Sequence, residues 1–124
     1  MMMHEIKLIR VYDHTTIKNA KGYKVLVDRL WPRGVAKADL PYEWWLKELA
    51  PSNELRSWFN HEDERYQEFK EKYLKEIAEN PIHSSVLKFL KVILQDEDVI
   101  LMYGAKNEKY NQAVVLKEWL EKNN

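Results

Sequence analysis

The stretch Tyr23–Gly34, with the sequence YKVLVDRLWPRG, decides the fold of this chain. Its first half contains the apolar run Val25–Val27, and β-branched apolar residues are typical of a buried strand. Its second half, Asp28–Gly34, is rich in charge, indole, proline and glycine, which do not continue a strand. We therefore predict a strand over Tyr23–Leu30 that opens into a loop. Loops at the carboxyl ends of buried strands hold binding sites in open α/β folds, so this loop is the first candidate site.

The composition indicates one self-sufficient domain. The chain has 124 residues, the size of a single domain, and its 45% hydrophobic content with five Trp and seven Tyr is enough for a substantial core. We expect residues 1–124 to form that domain, with residues 1–4 disordered. The chain has no cysteine, which excludes disulfides, Cys-ligated zinc and a thiol nucleophile.

The charge balance and the hydropathy of the chain limit which kinds of binding partner we expect. Lys and Arg number 20, as do Asp and Glu, so no net field would hold the chain on nucleic acid or an anionic membrane, and an anion site must be local. The N-terminal sequence MMMHEIKL is too short and too charged for a signal peptide, and no apolar run approaches the roughly 20 residues of a membrane span. We expect a cytoplasmic protein without membrane contact.

Periodicity predicts the remaining elements. Five consecutive apolar residues, Val99–Tyr103, indicate a strand covered on both faces, and therefore a central strand of a parallel sheet. The segment Tyr42–Ala50 fits a short strand by its aromatics and a helix by its leucine spacing, and we favour the strand. Tyr12–Gly22 has room for at most one short turn of helix. We further predict a strand over Ile6–Val11 and helices from Pro51-Ser52 to Asn60-His61, over Glu62–Glu79, over Ser84–Gln95 and over Asn111–Lys122.

The helix over Glu62–Glu79 has the clearest pattern. Its apolar stripe should be buried, and Glu68 with Lys72 and Glu71 with Lys75 should pair four residues apart on the opposite face. The stripe consists of Tyr66, Phe69, Tyr73 and Ile77.

Together these elements predict an α/β fold, a single compact domain with a small, mainly parallel sheet of three or four strands packed by about four helices. If the second and last strands run parallel, Asp28–Gly34 faces Gly104–Asn111 across one crevice. The last helix then directs backbone N–H groups into that crevice, with Asn111 as its cap.

The candidate site residues have functional and structural interpretations. Arg29 and Arg33 are suited to bidentate binding of a carboxylate or phosphate, but either one could instead form an ion pair with Asp28. Trp31 could stack on a ligand ring or cap the core. His61, after a helix end, could be a general acid or base or a helix-end cation, and Asp28 is the alternative acid or base.

Other chemistries have little support in the sequence. The four histidines lack the spacing of metal ligands, and the three glycines form no phosphate-binding loop of the Walker or Rossmann type. No cofactor is indicated. A bound anion would therefore depend on the arginines, Lys106 and the start of the last helix, where Asn111 could orient it by hydrogen bonding.

Three blocks of sequence resemble the YeaO-like family, domain of unknown function 488. They are GYKVLVDRLWPRG, then ELAPSNELRSWFNH followed by Arg65, and VILMYGAKNEKYNQAVVLKEWL. The resemblance covers nearly the whole chain and implies an α/β cytosolic fold, but no established activity. Longer relatives carry Cys-His-Arg near the start of the last helix, where this chain has Asn111-Gln112-Ala113, so chemistry that needs the thiol is not expected. The implied signature positions are Asp28, Arg29, Trp31, Pro32, Arg33, Gly34, Ala50, Pro51, Ser52, Leu55, Trp58, Phe59, His61, Arg65, Asn111 and Ala113.

Two function hypotheses follow. The first is a small enzyme, or a degenerate enzyme, that binds an anionic and nucleotide-like small molecule between loops 28–34 and 104–111. Its site residues would be Asp28 and His61 for acid–base chemistry, and Arg29, Trp31, Arg33, Arg65, Lys106 and Asn111 for binding. The second is a non-catalytic module that presents tryptophan and arginine to a protein or nucleic-acid partner. A crevice with Asp28 partly buried favours the first, and a flat, exposed Trp31 and Arg33 patch favours the second.

Overall fold

The strand Val99–Tyr103 lies at the centre of a parallel sheet, as its unbroken apolar sequence predicts. The computed structural model describes residues 4–122, and within them the sheet has four strands in the order β1-β4-β2-β3. All three neighbouring pairs are parallel. Every residue of β4 is buried. The strands are β1 (Ile6–Arg10), β2 (Tyr23–Leu26), β3 (Trp44–Trp45) and β4 (Val99–Tyr103).

Five α-helices are present in the same residues. They are α1 (His14–Asn19), α2 (Asn53–Phe59), α3 (Tyr66–Glu79), α4 (Pro81–Ile93) and α5 (Gln112–Lys122). Short 3-10 helices cover Lys37–Asp39, Lys47–Leu49 and Asp63–Arg65. The predicted α/β class with a small parallel sheet is therefore confirmed.

The sheet separates two apolar clusters. The larger lies under α2, α3, α4 and α5 and contains Val25, Val27 and Leu101, whereas the smaller lies under α1 and contains Leu26 and Met102. Successive strand residues alternate between the two clusters because successive side chains point to opposite faces of a sheet. Both faces are thus covered, which is the usual state of a parallel sheet.

Several predicted boundaries are corrected. The second strand ends at Leu26 rather than Leu30, although Val27 N still donates to Met102 O at 3.0 Å. Helix α4 begins at Pro81, three residues before the predicted Ser84, because proline suits the first helical position and Asn80 Oδ1 accepts from Ile82 N at 3.0 Å. The segment Tyr42–Ala50 contains both predicted alternatives, first the two-residue strand β3 and then a 3-10 helix.

The stripe of α3 is confirmed at three of its four positions. Phe69, Tyr73 and Ile77 are buried, and Tyr66 is half-buried. Glu68 pairs with Lys72 at 3.0 Å, but Lys75 pairs with Glu79 rather than with the predicted Glu71. The sequence predicts disorder for residues 1–4, of which Met1–Met3 lie outside the described residues. The fourth, His4, is described, and its N–H donates to Leu94 O at 3.0 Å.

Candidate functional site

The loops after β2 and β4 face each other across one crevice, as the parallel arrangement predicts. The crevice has a volume of about 490 Å³ and is lined by residues from 28–33, from 104–112 and from the end of α2. Ligand sites in proteins commonly have volumes of about 300–1,000 Å³. We call this space the Asp28 crevice.

Asp28 joins the two sides of the crevice. Its Oδ2 accepts a hydrogen bond from Gly104 N at 2.9 Å, and its Oδ1 accepts from the side-chain amide of Gln112. Burial raises the pKa of Asp28 from 3.8 to about 6, although these two hydrogen bonds and the positive charge of Arg56 act in the opposite direction. The loss of water around the carboxylate therefore outweighs the donors that stabilise its charge.

Arg29 lines the crevice, but its guanidinium is engaged with the backbone. Nε donates to Pro51 O at 2.9 Å and an Nη donates to Ala50 O at 3.1 Å. These contacts hold the segment before α2, which begins with Ser52 as its cap. Among the ion pairs of residues 4–122, none joins Arg29 to Asp28, the alternative that the sequence offered.

Three other basic side chains line the crevice. Arg33 is exposed, and its guanidinium makes no hydrogen bond or ion pair with another residue of 4–122. Arg56 lies on α2, where Nη1 donates to Asn53 Oδ1 at 3.2 Å. His61 is exposed and follows the end of α2. Sequence reasoning missed Arg56, because an exposed arginine on a helix gives no signal until the direction in which the helix docks is known.

The turn that carries His61 is unusual. Asn60 and His61 both have positive φ, 46° and 55°, in the left-handed region that residues other than glycine seldom adopt. Asn60 ends α2 by donating its N–H to Arg56 O at 2.9 Å. Asn60 and His61 both line the crevice.

Aromatic rings form part of the wall. The indole N–H of Trp31 donates to Val35 O at 2.6 Å, and its ring packs edge-on against Tyr42 and Trp45. Tyr12 donates its hydroxyl to Arg33 O at 2.9 Å and so fixes the loop that carries Arg33. The exposed ring of Tyr110 lines the crevice near the start of α5.

Two predicted site residues lie elsewhere. Arg65 pairs with Glu62 at 2.8 Å, donates to Trp58 O and covers the Trp58 ring, and it does not line the crevice. Lys106 is exposed and is also outside the lining. Both residues lie close in sequence to residues of the crevice, but neither of them lines it.

Comparison with known proteins identifies the family. Residues 5–124 match the family described as the inactive DUF488-N3 subclade. The chain belongs to the DUF488 family. It is 44% identical over 115 residues to the uncharacterized protein YeaO of Escherichia coli K12, covering 93% of this chain and 96% of YeaO. It is 41% identical over 115 residues to uncharacterized proteins Mb3100c of Mycobacterium bovis and Rv3073c of Mycobacterium tuberculosis, covering 93% of this chain and 92% of each. No solved structure matches the chain.

In this DUF488 chain the start of α5 is capped from within. Asn111 is buried, its Oδ1 accepts from Val114 N at 3.0 Å and its Nδ2 donates to Asn107 O at 2.8 Å. The predicted cap is therefore observed, but both ends of its amide are already engaged. Gln112, which sequence reasoning did not select, is the residue of this segment that reaches Asp28.

Among residues 4–122, no group of three or more His, Cys, Asp or Glu side chains is close enough to hold a metal ion. None of the helices described is long and apolar enough to cross a membrane.

Proposed function

We propose that this DUF488 chain is a degenerate enzyme that binds an anionic, nucleotide-like small molecule in the Asp28 crevice and does not turn it over. The observation that carries the proposal is an excess of positive charge in one place. Arg33 and Arg56 line the crevice in addition to the engaged Arg29, and Asp28 is the one acid among the described lining residues. The chain as a whole has no net charge, so this excess is local.

Arg33 and Arg56 are suited to the anionic group. Each keeps most of its five N–H donors available, since the described contacts of the two guanidinium groups amount to one hydrogen bond, from Arg56 to Asn53. A planar guanidinium donates two parallel hydrogen bonds to a phosphate or carboxylate. We therefore assign binding of the anionic group to Arg33 and Arg56. The predicted Arg29 is not included, because its guanidinium donates to the carbonyl oxygens of Ala50 and Pro51.

The rest of the lining of the Asp28 crevice is suited to an aromatic ring of a ligand. Tyr12, Trp31 and Tyr110 present aromatic surface, and Asp28 can accept a further hydrogen bond from a ligand N–H because each carboxylate oxygen has two lone pairs. A nucleotide combines a phosphate, a planar base and N–H donors. We propose a cytoplasmic location, where such ligands are abundant.

Two groups that could carry chemistry are engaged or absent. Both ends of the Asn111 amide are engaged, and the chain has no thiol. The family description, an inactive subclade, agrees with this interpretation. The competing hypothesis of a partner-binding surface has less support, because Trp31 is half-buried with its N–H directed to Val35 rather than exposed on a flat patch.

Calorimetric titration with inorganic phosphate, AMP, GMP and citrate tests the binding step. One of these should bind the wild type, and Arg33→Lys or Arg56→Lys should weaken that binding about tenfold or more, since an ammonium keeps the charge but loses the planar fork. Lys88→Glu, on the exposed side of α4, is the matched control and should bind as wild type does. If no anion binds, or if both lysine variants bind as tightly as wild type, the proposal is wrong.

The turnover step needs a separate assay. The bound ligand is incubated with the chain for many hours and followed by phosphorus and proton NMR. An unchanged ligand spectrum is expected. Product that accumulates with wild type, but not with Asp28→Asn, would instead establish the catalytic alternative in which Asp28 is the acid or base.

A further inference from the structure

A carboxylate is held in place among the basic side chains of the Asp28 crevice. Asp28 is the one acid in the described lining, and it accepts from Gly104 N at 2.9 Å and from the side-chain amide of Gln112. These two contacts come from opposite sides of the crevice and fix the carboxylate where the loops meet. A bound anion therefore adds a second negative charge to the same space of about 490 Å³.

Two negative charges in one crevice repel each other unless one of them is neutralised. A nearby like charge disfavours the ionised form of an acid, and so does burial. Burial already raises the pKa of Asp28 from 3.8 to about 6, which is close to neutral pH. A bound anion raises this pKa further, so near neutral pH the uptake of one proton from solvent removes the repulsion.

Gln112 can hold Asp28 in both protonation states. When Asp28 is ionised, Gln112 Nε2 donates to Asp28 Oδ1. When Oδ1 carries a proton, a half-turn of the Gln112 amide brings Oε1 to the same place, where it accepts from the carboxyl O–H, because an amide has both donors and an acceptor. Gly104 N can donate to Oδ2 in either state, and Oδ2 still has a lone pair for a ligand N–H. Proton uptake therefore leaves Asp28 hydrogen-bonded on both sides.

On the basis of the proposed anion binding, we infer that the Asp28 crevice takes up its anion together with a proton, which Asp28 accepts at Oδ1. Affinity for the anion then rises as the pH falls. By linkage, the bound anion makes Asp28 harder to ionise to the same extent. The crevice is thus an anion site whose occupancy responds to pH near neutrality.

The other charged or titratable side chains at the crevice come from each element around it. On α3, the buried Tyr73 interacts electrostatically with Asp28 and stays neutral, because burial raises its pKa well above 10. Arginine stays charged to high pH, whereas histidine in general titrates near neutral pH, so the test must separate Asp28 from His61. The side chains of this kind in the lining are Tyr12 after β1, Arg29 and Arg33 after β2, Arg56 on α2, His61 after α2 and Tyr110 before α5.

Asp28→Asn separates them, because the asparagine amide imitates the protonated acid. Its Oδ1 can accept from Gly104 N, and its Nδ2 can donate to Gln112 Oε1 as the carboxyl O–H does. Calorimetric titration with sulfate, phosphate, AMP, GMP and citrate is compared between wild type and Asp28→Asn at about pH 5.5 and about pH 8. At a given pH both proteins meet the same ligand and carry the same His61, so their ratio of affinities reports Asp28 alone.

The variant should gain affinity rather than lose it. At about pH 8, Asp28→Asn should bind the anion about five- to tenfold more tightly than wild type, since tenfold corresponds to one pH unit in the titration of Asp28. At about pH 5.5, the two should bind within about twofold of each other. Asp39→Asn, at an exposed position outside the crevice, is the matched control and should bind as wild type does at both pH values.

Carboxyl ¹³C NMR of wild type follows Asp28 without a variant. Its titration should move to higher pH, by about one pH unit, when the tightest binder of the five anions saturates the crevice. If none of the five binds at either pH, both proposals are overturned. If an anion binds through Arg33 and Arg56, but folded Asp28→Asn has no advantage at about pH 8 or the Asp28 titration does not move, anion binding stands and proton uptake at Asp28 is wrong.

Discussion

Gly104 N donates a hydrogen bond to Asp28 Oδ2 across 2.9 Å, and this contact joins the ends of the two strands that bound the crevice. A Cβ atom placed on Gly104 would lie 2.8 Å from the same oxygen. A side chain at this position would therefore force the Asp28 carboxylate to move, although the φ of Gly104 lies outside the left-handed region.

Gly104→Ala should lower the free energy of unfolding by about 1–3 kcal/mol, the usual cost of overpacking, because the Asp28 carboxylate must move away. Urea unfolding measures the change. In an Asp28→Ala background the same substitution should cost much less, since the clashing oxygen is absent. An equal cost in both backgrounds would show that Asp28 is not the obstacle.

Asp28→Asn should change how stability depends on pH. Burial raises the pKa of Asp28 to about 6, so the folded chain keeps a proton that the unfolded chain loses near 3.8. Between these values the folded state binds more protons, and the free energy of unfolding falls as the pH rises. The difference between 3.8 and about 6 corresponds to a loss of about 3 kcal/mol.

Urea unfolding of wild type and Asp28→Asn at about pH 4 and about pH 7.5 checks this sign. The variant should gain stability relative to wild type as the pH rises. Asp39→Asn, at an exposed position, is the control and should run parallel to wild type. If wild type instead became more stable relative to Asp28→Asn as the pH rises, the expected direction would be wrong.

Arg29→Lys and Arg33→Lys should separate stability from binding. Arg29 donates to the carbonyls of Pro51 and Ala50, and an ammonium cannot keep both geometries, so Arg29→Lys should cost about 1–3 kcal/mol. Arg33→Lys should stay within about 0.5 kcal/mol, the usual range at the surface. Thermal unfolding with and without the anion that binds wild type gives both quantities. The anion should raise the Tm of Arg33→Lys clearly less than that of wild type. If Arg33→Lys instead lowers stability and Arg29→Lys weakens anion binding, Arg33 is the structural residue.

His83→Leu should be strongly destabilising. His83 is buried, with Nδ1 3.0 Å from Ile77 O and Nε2 2.8 Å from Glu48 O. Leucine cannot donate to either carbonyl oxygen, and the loss of a buried hydrogen bond should cost about 1–3 kcal/mol in urea unfolding. The exposed His14 is the comparison, and His14→Ala should cost less than about 0.5 kcal/mol. Similar costs for the two histidines would mean that water replaces the His83 contacts.

Phe69→Ala should cost about 3–5 kcal/mol, as for other buried phenylalanines. Its ring is 2% exposed and stacks on Phe59 with a centroid distance of 4.4 Å. Phe89, which is 38% exposed, provides the control, and Phe89→Ala should cost clearly less in the same urea titration. A loss below about 1 kcal/mol for Phe69 would place its ring outside the core.

The sequence allowed the centre of the fold to be predicted, but only part of the site. Val99–Tyr103 has no polar residue, and a strand without alternation is buried on both faces, so its central place follows from local sequence alone. The facing loops follow from the parallel arrangement of β2 and β4. The end of β2 could not be predicted from the local sequence. Val27 and Asp28 are positioned by Met102 and Gly104, which lie far along the chain.

Side-chain direction explains the remaining differences. Arg65 and Lys106 lie close in sequence to residues of the crevice, yet neither lines it, whereas Arg56 and Gln112 do. Proximity along the chain does not determine which face of a helix or loop meets the site. Pro81 shows a related ambiguity, since the same residue that ends one helix pattern also occupies the first position of the next helix.

The order β1-β4-β2-β3 has a consequence for how the chain reaches its native state. Among residues 4–122 the central strand β4 comes after the other three strands, and its partners β1 and β2 both lie in the first quarter of the sequence. A nascent chain that ends before Val99 has no strand to insert between β1 and β2, so the sheet cannot close during most of translation. Because these pairings span almost the whole chain, closing the sheet should be slow for a domain of this size. Until then β1 has no partner strand among the described residues and β2 has only the two-residue strand β3. This is the interval in which the apolar strands are most exposed to aggregation.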